Sequence, residues 1–121
     1  MIENRHTHLL CSAGSPLIAG GKLRGELLLY NVPAASLSRV FKAFADLTGK
    51  ILTPDSDAGE LSGGQKVLLM ALLALFSPAP RIKFQDLWTA LDEGNRTRLR
   101  ALLSELGSAK EISYTEALLA D

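Results

Sequence analysis

Residues 61 to 66 read Leu-Ser-Gly-Gly-Gln-Lys and stand directly before ten apolar residues, Val67 to Phe76. Glycine is about 1 kcal/mol worse than alanine inside a helix, so two of them at the head of an apolar helix need a reason. The first N–H groups of a helix lack intrahelical partners and carry the positive end of its dipole, and glycine lets an anion approach them. The Ser62 hydroxyl adds a donor. On this physics Ser62, Gly63 and Gly64 form a site for a nucleotide phosphate. The competing reading is a helix N-cap followed by a glycine turn. His6, His8 and Cys11 also have ligand-like spacing, but three ligands in an irregular segment fall short of a zinc site.

The elements that must position the anion site follow from periodicity. Val67 to Phe76 is apolar all round and predicts a buried helix, stopped by Ser77-Pro78-Ala79-Pro80. Ile82 to Leu87 alternates and predicts a strand. Asp92 to Leu106 predicts a helix with a stripe of Leu99, Leu102, Leu103 and Leu106, closed by Gly107; Asp92 is a natural N-cap. Glu111 to Tyr114 predicts a last strand and Thr115 to Ala120 a final helical turn. Upstream, Glu26 to Val32 is a continuous apolar stretch between Gly25 and Pro33 and predicts a strand. Ser36 to Leu47 predicts a helix capped by Ser36, with Leu37, Val40, Phe41, Phe44 and Leu47 on one face. Lys50 to Thr53 suggests a short strand and Pro54 to Glu60 an acidic loop. Residues 1–22 show no period and read as an irregular lead-in. The alternation of helix and strand predicts an α/β layer with a mainly parallel sheet.

Composition narrows the class. The chain has 121 residues, 47% of them hydrophobic, enough for a core, and a formal net charge of zero. That balance argues against an autonomous nucleic-acid binder. One cysteine, Cys11, permits no intrachain disulfide, as in a reducing compartment. The longest apolar run is too short to span a bilayer. The expectation is a soluble intracellular protein, cytoplasmic or nuclear, with no membrane segment. Arg96 and Arg100 share a helical face, which with Glu93 nearby reads as solvated rather than as a DNA stripe. For Trp88, core and exposed interface both remain open.

The hexapeptide Leu61 to Lys66 resembles the signature motif of ABC-type ATPases. The context narrows the likeness: Pro78-Ala79-Pro80, then Phe84-Gln85-Asp86-Leu87-Trp88-Thr89-Ala90-Leu91-Asp92, then the helix beginning Glu93-Gly94. This looks like the C-terminal head segment of the structural-maintenance-of-chromosomes (SMC) ATPases, cohesin-type branch, over residues 48–121. The resemblance implies a truncated lobe over residues 23–121, an α/β partial ABC-ATPase lobe with the signature helix packed on a mainly parallel sheet. It implies that Ser62, Gly63, Gly64 and Gln65 face a nucleotide γ-phosphate across a dimer interface, and that Asp92 joins that contact. Gln85 falls where the family's magnesium-binding Asp stands, and Asp86 where its catalytic Glu stands.

Three departures limit the implied chemistry. The phosphate-wrapping Walker A loop, Gly-x4-Gly-Lys-Ser/Thr, is absent; Gly21-Lys22 is followed by Leu23. Gln85 is neutral, and Asp86 is one methylene shorter than Glu. The switch histidine after the last strand is replaced, with Thr115 or Glu116 nearest. ATP and Mg2+ are therefore expected only in a composite site, completed by a Walker A-bearing ATPase head or N-terminal half, with DNA reached only through the assembled complex. The isolated chain is expected to hold no cofactor and to hydrolyse no ATP. Two alternatives stay open: a transporter-type ATPase remnant, and a non-catalytic module docking on a complete ATPase head.

Overall fold

The computed structural model describes residues 8–17 and 20–116. The elements in order are β1 (His8–Ser12), α1 (Leu23–Leu29), α2 (Leu37–Thr48), α3 (Gly63–Phe76), β2 (Arg81–Gln85), α4 (Glu93–Leu106) and β3 (Glu111–Thr115). Short 3-10 turns at Ala34–Ser36 and Ala58–Glu60 precede α2 and α3. The three strands make a parallel sheet with β2 in the centre, so the expected α/β lobe is what the chain forms.

Helix α3 is the axis of the fold. Every residue from Val67 to Leu75 is buried, as an all-round apolar helix requires. It packs against β1, α2 and α4. Val40 and Phe44 of α2 and Leu99 of α4 are fully buried against the same core as Ile82 and Phe84 of β2. Lys110 closes the far end, its Nζ donating to the carbonyls of Ser77, the C-cap of α3, and of Ala79 in the turn that follows. Gly107 ends α4 as expected, but the cause is close approach: a Cβ there would lie 2.6 Å from the Leu103 carbonyl oxygen and 2.8 Å from Ile112 Cδ1.

Three sequence expectations are corrected. Glu26 to Val32 is not a strand. The segment belongs to α1 and the turn after it, and its buried positions Leu23, Glu26, Leu27 and Tyr30 keep helical spacing while Leu28 and Leu29 face outward. Buried Glu26 accepts from the Gly20 N–H at 2.8 Å. Lys50 to Thr53 joins no ladder; the carbonyls of Pro54 and Ser56, just beyond it, accept from the first N–H groups of α1. The lead-in is not wholly irregular, since His8 to Ser12 is the sheet's first strand. The predicted final helical turn begins on Thr115, which is in β3, and its remainder past Glu116 lies outside the described residues.

Among the described residues the sheet has one covered face and one exposed one. Leu9, Cys11, Ile82, Phe84 and Ile112 pack on the core. On the other side the registered rows are His8–Arg81–Glu111, Leu10–Lys83–Ser113 and Ser12–Gln85–Thr115. Arg81 and Lys83 are exposed.

Cys11 and Tyr30 meet under β1, 2% and 4% exposed. Burial pushes the Cys11 thiol from its ordinary 9.0 up to about 11, partly opposed by a hydrogen bond from the Tyr30 hydroxyl. Burial, and then the nearby Cys11, push Tyr30 up as well. Both folded-state values are raised; the Cys11 contribution is fully present below pH 9 and is lost as pH rises through 11, and the Tyr30 contribution begins to be lost only above pH 10. The Cys11 share is on the order of 3 kcal/mol. Denaturant midpoints between pH 8 and 11 should fall steeply, and Cys11→Ala should flatten that slope.

Candidate functional site

The N-terminus of α3 is capped by its own sequence. Ser62 is the N-cap; its Oγ accepts from the Gln65 N–H at 3.2 Å, and Gln65 Oε1 accepts from the Ser62 N–H at 3.0 Å. This reciprocal capping box satisfies two of the helix's orphan donors. The N–H groups of Gly63 and Gly64 remain, at the positive end of the dipole. Nothing lies within 4 Å of where a Cβ would stand on Gly63, and on Gly64 only Asn95 Nδ2 does, at 3.9 Å. The fold itself therefore has no need of glycine at either position.

Asp92 caps the neighbouring helix. Its carboxylate accepts from the Asn95 N–H at 2.7 Å, starting α4. Two helix N-termini thus open on one groove, lined by Leu47, Thr48, Ser62, Gly64, Gln65, Leu68, Asp92, Asn95 and Arg98. Four of the sequence-derived site residues are brought together there, and Gly63 stands beside them at the first turn of α3. Thr48, Asn95 and Arg98 escaped sequence reasoning. Arg98 lies six residues beyond the Asp92 cap, less than two turns along α4. Arg98 Nη1 donates to Asn95 Oδ1 at 3.3 Å.

Arg100 is exposed and Arg96 half-buried, as a largely solvated face predicts, but both are held by Trp88 rather than by an ion pair among the described residues. Arg96 Nε donates to the Trp88 carbonyl at 2.7 Å, and the Arg100 guanidinium lies 4.8 Å from the Trp88 ring centroid. Trp88 is partly buried against the core and tilts on Tyr114 at 5.6 Å. That decides its open reading: it is a clasp between α4 and β3.

Gln85 and Asp86 sit elsewhere, at the C-terminal end of the sheet. Asp86 belongs to a separate hollow with Ala13, Gly14, Thr89 and Ala90. Its backbone is left-handed, φ 58°, a conformation that Asp tolerates better than most residues. Its N–H donates to the Thr115 carbonyl at 2.7 Å. Glu116 Oε1 accepts from the Thr89 N–H at 3.0 Å and from Thr89 Oγ1 at 2.7 Å, so this carboxylate latches the 86–92 loop. Among the described residues no cluster of three or more His, Cys, Asp or Glu could hold a metal ion. Neutral Gln85 beside Asp86 is likewise a poor donor set for magnesium, which takes one or two carboxylates together with phosphate oxygens. His8 faces the bare side of the sheet and Cys11 the core, so their ligand-like spacing brings nothing together; His6 lies outside the described residues. No helix among the described residues is long and apolar enough to cross a membrane.

No protein-family model and no curated protein sequence matches the chain. Solved structures do resemble it. A bacterial Atm1-family ABC exporter with ATP bound superposes with a TM-score of 0.71 at 19% identity, over 94% of this chain and 22% of that one. A Pyrococcus furiosus protein described as an ABC transporter ATP-binding protein gives 0.69 at 17% identity, over 98% of this chain and 61% of that one. The chain thus has the fold of part of an ABC ATP-binding domain, and it spans less than two thirds of the length of either protein.

Proposed function

We propose that this chain supplies the signature half of a composite ATP site, completed in trans by a partner that carries a Walker A loop. The observation that carries this reading is the pair of glycines. Gly63 and Gly64 weaken the start of α3, no described residue crowds them, and their N–H groups are the two that the capping box leaves over at its N-terminus. A phosphate approaching from outside uses all three features. In this role Ser62, Gly63, Gly64 and Gln65 face the γ-phosphate, Asp92 and Arg98 line the contact, and ATP with its Mg2+ arrives on the partner. Asp86, in its separate hollow, and Gln85 beside it in sequence are read as remnants of a hydrolytic site rather than part of this one.

The test exploits opposite signs. Gly63→Ala with Gly64→Ala should stabilise the isolated chain by roughly 0.5–1 kcal/mol, because each methyl meets open space. The same methyls should weaken ATP-dependent association with a Walker A-bearing head, because they stand where the phosphate comes. Thermal melts and sedimentation with and without ATP read the two arms. A pair that stabilises the chain without weakening association would leave α3 with a plain cap.

The isolated chain should bind Mg-ATP no tighter than about 100 μM, or about −5.5 kcal/mol, by calorimetry. The signature face alone lacks the loop that wraps the phosphates.

Two settings suit this site. The motif context of residues 61–106 supports an SMC-like head in chromosome organisation. A transporter-type ATPase fits comparably, since the structural likeness to an ABC exporter and an ABC ATP-binding protein runs over 94–98% of the chain. Co-purification with a membrane subunit or with a coiled-coil ATPase separates the two.

A further inference from the structure

The peptide unit between Trp88 and Thr89 is held from both sides. Its N–H donates to Glu116 Oε1 at 3.0 Å, and the Thr89 hydroxyl donates to the same oxygen at 2.7 Å. Its carbonyl, that of Trp88, accepts from the Leu91 N–H at 3.2 Å and from Arg96 Nε at 2.7 Å. Arg96 sits one turn into α4, the helix that Asp92 caps. A carboxylate just past the end of β3 therefore reaches, through a single peptide, the helix start that lines the groove with Asp92, Asn95 and Arg98. The backbone beside it runs the same way: the Asp86 N–H donates to the carbonyl of Thr115, the residue before Glu116, at 2.7 Å.

Buried leucines also anchor this loop, but they do a different job. Leu87 and Leu91 are 0% and 3% exposed, and apolar burial is non-directional. It fixes how deep the loop sits and leaves the orientation of the peptide plane between them open. Hydrogen bonds to a carboxylate are directional and stronger than neutral ones. The second oxygen of Glu116, Oε2, is buried with no hydrogen-bond partner among the described residues. That orphan is a cost, and the two donors on Oε1 are set against it.

We propose that Glu116 is a positioning residue for the groove. By holding the Trp88–Thr89 peptide it sets the first turn of α4, and with it Asp92, Asn95 and Arg98, at the angle at which they meet the partner. This rests on the composite-site reading and adds to it a residue that acts only through α4.

Glu116→Ala and Glu116→Gln test it together. Gln keeps the Oε1 acceptor, and its amide nitrogen would stand where Oε2 has no bond to lose. Wild type and each variant are measured for ATP-dependent association with a complete Walker A-bearing head. Amide exchange is measured on the chain alone, at the Asn95 and Arg96 N–H groups, which bond to Asp92. The N–H of fully buried Leu72 reports global opening. Glu116→Ala should associate at least about tenfold more weakly, the scale of one lost hydrogen bond to a charged group. Its Asn95 and Arg96 amides should exchange faster by a similar factor while Leu72 is unchanged. Glu116→Gln should stay within about twofold of wild type in both readings. Thr89→Val removes one of the two donors to Oε1 and should shift both readings the same way by about threefold. Unchanged readings in Thr89→Val overturn the proposal even where Glu116→Ala does not fold. Wild-type exchange in Glu116→Ala, or Gln as impaired as Ala, also overturns it. So does unchanged association in Glu116→Ala when wild type associates, and the composite-site reading then stands. A wild type that does not associate with ATP present overturns the composite-site reading, and the exchange arm still decides whether Glu116 positions α4.

Discussion

Ser62→Arg is expected to lower ATP-dependent association of the chain with a Walker A-bearing head by about a hundredfold or more, close to 3 kcal/mol of coupling. The side chain does two things at once. It removes the Oγ acceptor of the capping box, a loss of about 1 kcal/mol in helix stability, and it projects a long cation into the space in front of the Gly63 and Gly64 N–H groups. Cap loss alone would not block a phosphate, so a control separates the effects. Ser62→Asn keeps a cap of equal rank and should retain most of the association. Asp92→Ala should cost about 1 kcal/mol through the loss of the α4 cap, with a smaller effect on association than Ser62→Arg. Size-exclusion chromatography of the mixture with and without ATP reads all three. Equal association of wild type and Ser62→Arg in both conditions would reduce the signature to a helix cap and favour the docking-module account.

How far this site was legible in the sequence depended on the range of the signal. The capping box at Ser62 and Gln65, the Asp92 cap and the all-round apolar α3 are local patterns, and each forms as its residues dictate. Helix α1 was misread because four of its seven residues, Leu23 and Leu27 to Leu29, are leucines on both faces, and because the residue that marks its inner face is a charge. Buried Glu26 looks like a surface residue until its hydrogen bond to the Gly20 N–H is known. Strand β1 was missed for another reason. His8 to Ser12 is five residues with polar ends, and what makes it a strand is pairing with Arg81 to Gln85, far along the chain. The Glu116 latch on Thr89 is a tertiary contact between a strand end and a loop, and no period or spacing announces it. The Gly63-Gly64 pair is legible as an exception to helix propensity; what the fold adds is that, among the described residues, nothing crowds the place of a Cβ on Gly63 and only Asn95 Nδ2, at 3.9 Å, approaches it on Gly64.

Leu72→Ala should destabilise the chain by about 3–5 kcal/mol, the usual range for a large-to-small change at a fully buried leucine. Leu72 is 0% exposed in the middle of α3, the helix that touches β1, α2 and α4. A cavity there has helices and sheet around it and little freedom to collapse. For a domain of this size each kilocalorie is worth roughly 4–8 °C in melting temperature, so the midpoint should fall by more than about 12 °C. Total stabilities run to only about 5–15 kcal/mol, which puts this one methyl-for-isobutyl exchange near the limit the fold can bear. The substitution also separates fold from site. Leu72 lies nearly three turns beyond the Ser62 cap, so wherever the variant remains folded, at low temperature, its ATP-dependent association should match wild type within about twofold. Ser62→Arg should show the reverse, a folded chain that no longer associates. A Leu72→Ala chain that melts normally would mean that α3 is not packed as described; one that stays folded but loses association would mean that the groove depends on the core of α3 and not on its N-terminal turn.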